Sequence, residues 1–254
     1  MRFTKMHGAG NDYIYVNGFV EHFEDPSALA IRMSEPHFGV GSDGLILILP
    51  SDRADFRMRM FNRDGSEGAM CGNGARCVGL FVHQHGLTDR TSFTLETGGG
   101  IRTVRLILDE GRVVAVEVDM GAPQALRVAD DAVHVSMGSL HAVYFSDEDP
   151  FEMPEFAQWG RERLSAFDAN IELVQVLSTD RLKMRVYERG SGETLACGSG
   201  ACAALVAAHT KGLCGRGAVV VLRGGEILVD WRGSDGHVMM TGPAETVFEG
   251  EWKK

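Results

Sequence analysis

The chain lacks the features that would place it in a membrane or on a nucleic acid. Apolar runs such as Leu45–Leu49 and Val219–Leu222 have the length of a strand, whereas a helix needs about 20 apolar residues to span a bilayer. Basic residues are outnumbered, with 25 Lys and Arg against 35 Asp and Glu, and the net charge is −10. Binding to a phosphate backbone requires a clustered basic surface. We therefore expect no membrane and no nucleic-acid partner.

A disulfide framework and a zinc site are equally unsupported. Five cysteines in 254 residues are an odd number, and the N-terminus Met1–Gly8 has no apolar signal region, which favours free thiols in a cytoplasmic protein. The pairs Cys71/Cys77 and Cys197/Cys202 are spaced Cys-x5-Cys and Cys-x4-Cys. Zinc sites usually use Cys-x2-Cys, so we expect no metal.

What the sequence does contain is a repeat. Cys71-Gly72-Asn73-Gly74-Ala75 returns 126 residues later as Cys197-Gly198-Ser199-Gly200-Ala201. Without a gap, the segments 57–101 and 183–227 share 15 identical residues in 45 positions, where average residue usage gives about three. Internal similarity at a fixed offset indicates a duplicated structural unit.

Each copy predicts a strand, a polar loop and then a helix that begins at the cysteine. Gly72–His85 and Gly198–Lys211 are apolar on most sides and are followed by Gly86 and Gly212, as expected of buried helices that end at a glycine. Strands flank them, so each half is expected to wrap a sheet around a central helix. We place the domains at residues 1–110 and 111–243, with residues 244–254 as a candidate final strand of the first.

A thiol at the start of a helix meets unpaired backbone N–H groups and the positive end of the helix dipole. That setting lowers a thiol pKa and binds anions such as carboxylates. Two such helix ends would grip one carboxylate and place Cys71 and Cys197 on opposite faces of its α-carbon. One thiolate would remove the α-proton and the other thiol would return one. The predicted outcome is racemisation or epimerisation without a cofactor.

At this point the chain resembles the diaminopimelate epimerase family. The resemblance is carried by stretches spread in family order over most of the sequence: Met6–Asp12, Gly39–Gly44, Phe61–Glu67, Cys71–Arg76, Tyr187–Thr194 and Ala196–Ala201. It implies two similar α/β domains, each a β-barrel-like sheet around a central helix. It also implies a cytoplasmic, cofactor-independent epimerase of LL- and meso-diaminopimelate that serves lysine and cell-wall precursor synthesis. Family members are often dimers, so a homodimer is one expectation.

The resemblance also assigns roles to individual residues. Cys71 and Cys197 would be the acid/base pair. The reacting carboxylate would be held by backbone N–H groups of Gly72, Asn73, Gly198 and Ser199. Asn11 would help to position the substrate, and its distal end would be read by Asn62, Asn170, Glu188 and Arg189. An Arg guanidinium suits the far carboxylate because it can donate two parallel hydrogen bonds.

One departure from the family pattern leaves the substrate open. The family usually has Gly-Asn-Pro-His where this chain has Gly138-Ser139-Leu140-His141, so the shorter Ser139 replaces a distal-end contact. A racemase of another amino acid, such as histidine, would keep both cysteines and change this pocket. A protein that binds an amino acid without catalysis is a further alternative, which slow and unselective alkylation of Cys71 and Cys197 would favour.

Overall fold

The computed structural model describes residues 1–129 and 131–253, and these residues form four α-helices and eighteen strands. The helices are α1 (Pro26–Ser34), α2 (Gly72–Gln84), α3 (Phe156–Phe167) and α4 (Gly198–Thr210). The strands up to the middle of the chain are β1 (Arg2–Gly8), β2 (Asn11–Asn17), β3 (Gly44–Leu49), β4 (Phe56–Asn62), β5 (Glu67–Gly68), β6 (Ser92–Thr97), β7 (Gly100–Asp109) and β8 (Arg112–Asp119). The remaining strands are β9 (Ala125–Val128), β10 (Val133–Ser136), β11 (Leu140–Phe145), β12 (Asn170–Ser178), β13 (Arg181–Glu188), β14 (Gly192–Thr194), β15 (Gly217–Leu222), β16 (Gly225–Trp231), β17 (Val238–Gly242) and β18 (Glu245–Glu251).

The chain divides into two compact units. The first unit comprises residues 1–118 and the C-terminal segment from Pro243. Its sheet runs in the order β18-β1-β2-β3-β4-β6-β7-β8. The pairs β2–β3 and β4–β6 are parallel and the other neighbours are antiparallel. The final strand of the chain is therefore an element of the first unit.

The second unit, Asp119–Gly242, repeats this topology. Its strands run β9-β10-β11-β12-β13-β15-β16-β17, again with the third and fifth pairs parallel. The short strands β5 and β14 pair with β4 and β13 at equivalent places. The repeat found over 45 residues of sequence thus belongs to a duplication of the whole unit.

A buried helix lies within each sheet. In α2 the residues from Gly72 to Val82 are all buried, and the helix packs on β1, β2 and β7. Helix α4 is rich in Ala, and it packs on β10–β13 and β15–β17. Small side chains let a sheet close around a helix on all sides, so the predicted fold class of paired α/β units with central helices is confirmed.

Local sequence explains where these helices begin and end. Both α2 and α4 stop one residue before the predicted ends, and Gly86 and Gly212 have φ of 65° and 71°. This left-handed backbone carries little cost for glycine. The first unit extends to Val118, beyond the predicted boundary at 110, because Glu110-Gly111 forms the turn of the β7–β8 hairpin.

Candidate active site

The two cysteines of the repeat occupy the same structural position in their units. Cys71 and Cys197 are the N-cap residues of α2 and α4, both with extended backbone. The Gly74 N–H lies 3.2 Å from the Cys71 Sγ, and the Gly200 N–H lies 3.4 Å from the Cys197 Sγ. Each sulfur therefore takes the place of the side-chain oxygen that usually caps a helix.

The surroundings of Cys71 form what we call the first half-site, made of Asn11, Asp43, Cys71 and the first turn of α2. The half-buried Cys71 thiol donates to the Asn11 Oδ1 at 3.3 Å. The Asn11 Nδ2 in turn donates to the Asp43 Oδ2 at 2.8 Å. An amide thus links this thiol to a carboxylate.

The Asp43 carboxylate has further neighbours. Its Oδ2 also accepts from the Asp12 backbone N–H at 3.2 Å, and Asp12 forms an ion pair with the buried Lys5. Burial, followed by the nearby Asp12 charge, raises the pKa of the Asp43 carboxyl, and its hydrogen bonds and Lys5 oppose this shift. The Asp43 carboxylate is therefore partly desolvated, and it lies on the side of Asn11 that faces away from Cys71.

The second half-site consists of Cys197, Glu188, Glu172, His141 and the first turn of α4. Cys197 is buried, with 6% of its surface exposed, and its Sγ lies 3.5 Å from the Ser199 Oγ. Burial and then the charges of Glu188 and Glu172 raise the pKa of the Cys197 thiol well above its ordinary value. The helix N-terminus alone predicted the opposite direction, and this expectation was wrong for Cys197 because desolvation and two carboxylates outweigh it.

Glu188 and a buried His–Glu pair supply these charges. Glu188 is hydrogen-bonded to Thr194 and to the Cys197 thiol, and burial raises the pKa of its carboxyl. Deeper in the unit, the His141 Nδ1 lies 2.6 Å from the Glu172 Oε1, and both side chains are fully buried. The Glu172 Oε1 also approaches Gly200, because a Cβ built there would lie 2.8 Å from it. Glu172 therefore lies under the first turn of α4.

Strand register shows what occupies the same places in the first unit. The pair Ile14–Leu45 between β2 and β3 corresponds to Ala142–Ile171 between β11 and β12. By this register Asn11 corresponds to Ser139, Tyr13 to His141, Asp43 to Ala169 and Ile46 to Glu172. The two half-sites share a backbone frame and differ in the polar side chains behind the thiol.

The remaining predicted residues lie in loops or at strand ends. Asn62 donates to the Ser66 Oγ at 3.0 Å within its own turn, and Ser139 is exposed in the β10–β11 turn. The Asn170 Oδ1 accepts from the Arg189 backbone N–H at 2.8 Å, and the exposed Arg189 guanidinium pairs with Asp168 at 3.1 Å. The structure thus groups Asn11 with Cys71, groups Glu188 with Cys197, and links Asn170 to Arg189.

Sequence reasoning missed Asp43, His141 and Glu172. Asp43 belongs to the Gly-Ser-Asp-Gly stretch that supports the family resemblance, and Glu172 interrupts the apolar run of β12. An acidic residue among the apolar residues of β12 was the available signal for Glu172, because buried carboxylates are rare unless paired.

The other three thiols and the metal prediction add no further site. Cys77, Cys202 and Cys214 are buried, and none of the three forms a disulfide. In the described ranges 1–129 and 131–253, no three or more His, Cys, Asp or Glu side chains are arranged to hold a metal ion. None of the helices in those ranges has the length and apolar character of a membrane span.

The fold and the paired helix-capping thiols define the class of epimerase- and racemase-like proteins built from two equivalent α/β units. A hydroxyproline epimerase from Agrobacterium vitis superposes with a TM-score of 0.75 at 16% identity, covering 98% of this chain and 90% of that one. A Bacillus anthracis phenazine biosynthesis protein of the PhzF family gives 0.78 at 17%, covering 100% and 99%. At such identities the likeness shows the fold alone.

The chain belongs to the diaminopimelate epimerase family. The family model described as diaminopimelate epimerase matches residues 3–126 and 133–247. A protein named diaminopimelate epimerase from Methanococcus maripaludis is 46% identical over 99% of both chains. One of the same name from Acetivibrio thermocellus is 47% identical over 99% of this chain and 98% of its own.

Proposed function

We propose that this protein is a cofactor-independent isomerase that interconverts LL- and meso-2,6-diaminopimelate. The observation that carries the proposal is the duplicated helix cap, in which Cys71 and Cys197 each occupy the N-cap of a buried helix. The choice of diaminopimelate as the substrate rests on full-length relatives named diaminopimelate epimerase. The reaction belongs to lysine and cell-wall precursor synthesis, which fits a cytoplasmic protein.

The chemistry follows from what a helix N-terminus offers. N–H groups of Gly72, Asn73, Gly198 and Ser199 would bind the carboxylate next to the reacting carbon and stabilise the charge that develops on it when the α-proton leaves. One cysteine thiolate removes that proton and the other cysteine thiol donates a proton to the opposite face. A thiol of raised pKa, such as that of Cys197, stays protonated at neutral pH and suits the donor role in the resting enzyme.

The distal end of the substrate would be recognised by Arg189 and the polar residues near it. Arg189 is exposed, and its partner Asp168 is also exposed, so the guanidinium is available to a carboxylate. Asn62, Asn170 and Ser139 would add hydrogen bonds, and Glu188 would accept from the distal ammonium in addition to contacting Cys197. Since Ser139 stands where the family usually has Asn, the substrate itself needs a direct test.

Exchange of the α-proton with solvent tests the reaction. We expect the protein to incorporate deuterium from D2O at the α-carbons of LL- and meso-diaminopimelate, as measured by mass spectrometry, and not at those of histidine or proline. The Cys71→Ala and Cys197→Ala variants serve as controls for each thiol. Exchange into another amino acid and not into diaminopimelate would identify a different racemase, and exchange into none would contradict catalysis.

The Arg189→Ala variant tests recognition of the distal end. Loss of a charged hydrogen-bonded pair raises KM by about tenfold to a hundredfold, with kcat less affected. Arg63 is the matched control, since it lies 126 residues earlier in the repeat and is likewise exposed. An equal rise in KM for Arg63→Ala would contradict the assignment to Arg189.

A further inference from the structure

Asp43 belongs to the first half-site and is linked to its thiol through Asn11. Its Oδ2 accepts from the Asn11 side chain at 2.8 Å and from the Asp12 N–H at 3.2 Å. The Asn11 Oδ1 lies on the other side of the amide and accepts from Cys71 at 3.3 Å. The three residues therefore form one line of hydrogen bonds that ends at the thiol.

A carboxylate fixes the direction of this line. An ionised carboxylate only accepts hydrogen bonds, and an amide group has one accepting and one donating end. Facing Asp43, Asn11 must present its Nδ2, so its Oδ1 is left to face Cys71. Without Asp43 the amide would be free to turn and offer its NH2 group to the sulfur.

We propose that Asp43 is a positioning residue that fixes the Asn11 amide so that its oxygen accepts the hydrogen of the Cys71 thiol. The proposal rests on the proposed function only in taking Cys71 as a proton-transfer group. A hydrogen bond to the neutral form of an acid favours that form. The amide oxygen thus favours the protonated thiol, and it sets the direction of the S–H bond.

The second unit shows that the fold does not need this arrangement. The positions that correspond to Asn11 and Asp43 hold Ser139 and Ala169, and Ala169 is buried. The backbone frame around Cys197 nevertheless matches that around Cys71. The amide and carboxylate are therefore an addition specific to the first half-site.

Alkylation of Cys71 by iodoacetamide, followed peptide by peptide with mass spectrometry over a range of pH, tests the proposal. Asp43→Ala releases the amide, so the apparent pKa of Cys71 falls and its labelling at a fixed neutral pH accelerates about threefold to tenfold. Asp43→Asn keeps an acceptor for Asn11 and is expected to label within about twofold of the native protein. Labelling of Cys197 in the same samples is the internal reference.

The charge of Asp43 must be separated from its effect on Asn11, because Asp12 and Lys5 also face this carboxylate. In an Asn11→Ala background, the further change Asp43→Ala is expected to alter Cys71 labelling by less than about twofold. An undiminished acceleration in that background, or equal acceleration by Asp43→Asn and Asp43→Ala, would mean that charge alone acts and would overturn the proposal.

A further control tests whether Asp43→Ala accelerates Cys71 labelling only by loosening the first unit. Asp55 accepts hydrogen bonds from Thr94 and Arg90 in the same unit and contacts neither Asn11 nor Cys71 in these bonds. If Asp55→Ala accelerates Cys71 labelling as much as Asp43→Ala does, the effect is structural and the proposal fails. In the native protein, a nuclear Overhauser effect is expected between the Asn11 amide protons and the Asp12 N–H. A nuclear Overhauser effect from the Asn11 amide protons to the Cys71 β-protons, and not to the Asp12 N–H, would also overturn the proposal. This measurement uses the native protein, so it remains decisive even if Asp43→Ala does not fold.

Activity gives an independent reading. We expect Asp43→Ala to lower kcat about tenfold or more, with KM changed less than about threefold, because a misdirected thiol impairs the chemical step. A rise in KM alone would assign Asp43 to substrate positioning and contradict the proposal. If the protein epimerises no amino acid, the proposed function fails, whereas the labelling and nuclear Overhauser measurements still decide the role of Asp43.

Discussion

The two half-sites present the same thiol in different electrostatic surroundings. Cys71 and Cys197 cap equivalent helices and accept from equivalent glycines. Behind Cys71 lies the neutral amide of Asn11, which is hydrogen-bonded in turn to the Asp43 carboxylate. Beside Cys197 lie Glu188 and Glu172. The duplication therefore preserved the backbone that places the sulfur and changed the groups that set its protonation.

One pair of positions makes the difference concrete. A Cβ built on Gly74 would lie 2.6 Å from the Ile46 Cδ1, whereas one on Gly200 would lie 2.8 Å from the Glu172 Oε1. The same gap under the helix is thus closed by a methyl group in one unit and by a carboxylate oxygen in the other. The protonation of the two equivalent thiols is therefore influenced by different groups, an amide oxygen at Cys71 and carboxylates at Cys197.

Removing either thiol is expected to have the largest effect. Cys71→Ala and Cys197→Ala should each lower kcat by at least about 10²–10⁴-fold, because each deletes one general acid/base. Steady-state interconversion of the two stereoisomers measures this, and Cys214→Ala, at a buried thiol outside both half-sites, controls for thiol loss in general. Full activity in either variant would show that the half-sites do not act as a pair.

A smaller effect is expected from Cys77, whose counterpart in the second unit is Ala203. Burial raises the pKa of the Cys77 thiol from 9.0 to about 11. The folded state then binds the thiol proton more tightly than the unfolded state does. The resulting contribution to the free energy of unfolding is complete below about pH 9 and is lost as the pH rises to about 11. Urea unfolding should show a loss of about 2–3 kcal/mol over this range that is absent in Cys77→Ala. Equal pH dependence in both proteins would contradict it.

The two glycines should respond unequally to alanine. Ala gains about 1 kcal/mol over Gly in a helix, and overpacking costs about 1–3 kcal/mol. The Ile46 methyl can turn aside, whereas the Glu172 carboxylate is held by His141. We expect Gly200→Ala to reduce the free energy of unfolding by about 2 kcal/mol more than Gly74→Ala. Equal losses in urea unfolding would show that Glu172 moves as freely as Ile46.

The smallest effect concerns the protonation of Cys197. Glu188→Gln removes a charge that raises the pKa of this thiol, so alkylation of Cys197 at neutral pH should accelerate about tenfold, the equivalent of one pKa unit. Cys71 in the same protein should label at its native rate. Acceleration at both cysteines, or at neither, would remove Glu188 as the source of the difference.

Sequence alone predicted the helices, because they depend on residues close together in the chain, and it revealed the repeat with its two cysteines through identities at a fixed offset. The Gly86 and Gly212 stops and the apolar faces of α2 and α4 are local signals. The links from Asn11 to Asp43 and from His141 to Glu172 join residues about 30 positions apart, across pairs of parallel strands. Periodicity identifies a strand but not its partner or register, so these contacts, and the direction of the Cys197 pKa shift, could not be predicted.

The place of β18 has a consequence for how the protein is made. This strand, Glu245–Glu251, pairs with β1 at the opposite end of the chain, whereas the second unit is formed by continuous sequence. On the ribosome, the unit whose synthesis begins later can complete its sheet first. Strand β1 must wait, with one edge uncovered, until β18 has been synthesised, and an exposed strand edge invites association with other nascent chains.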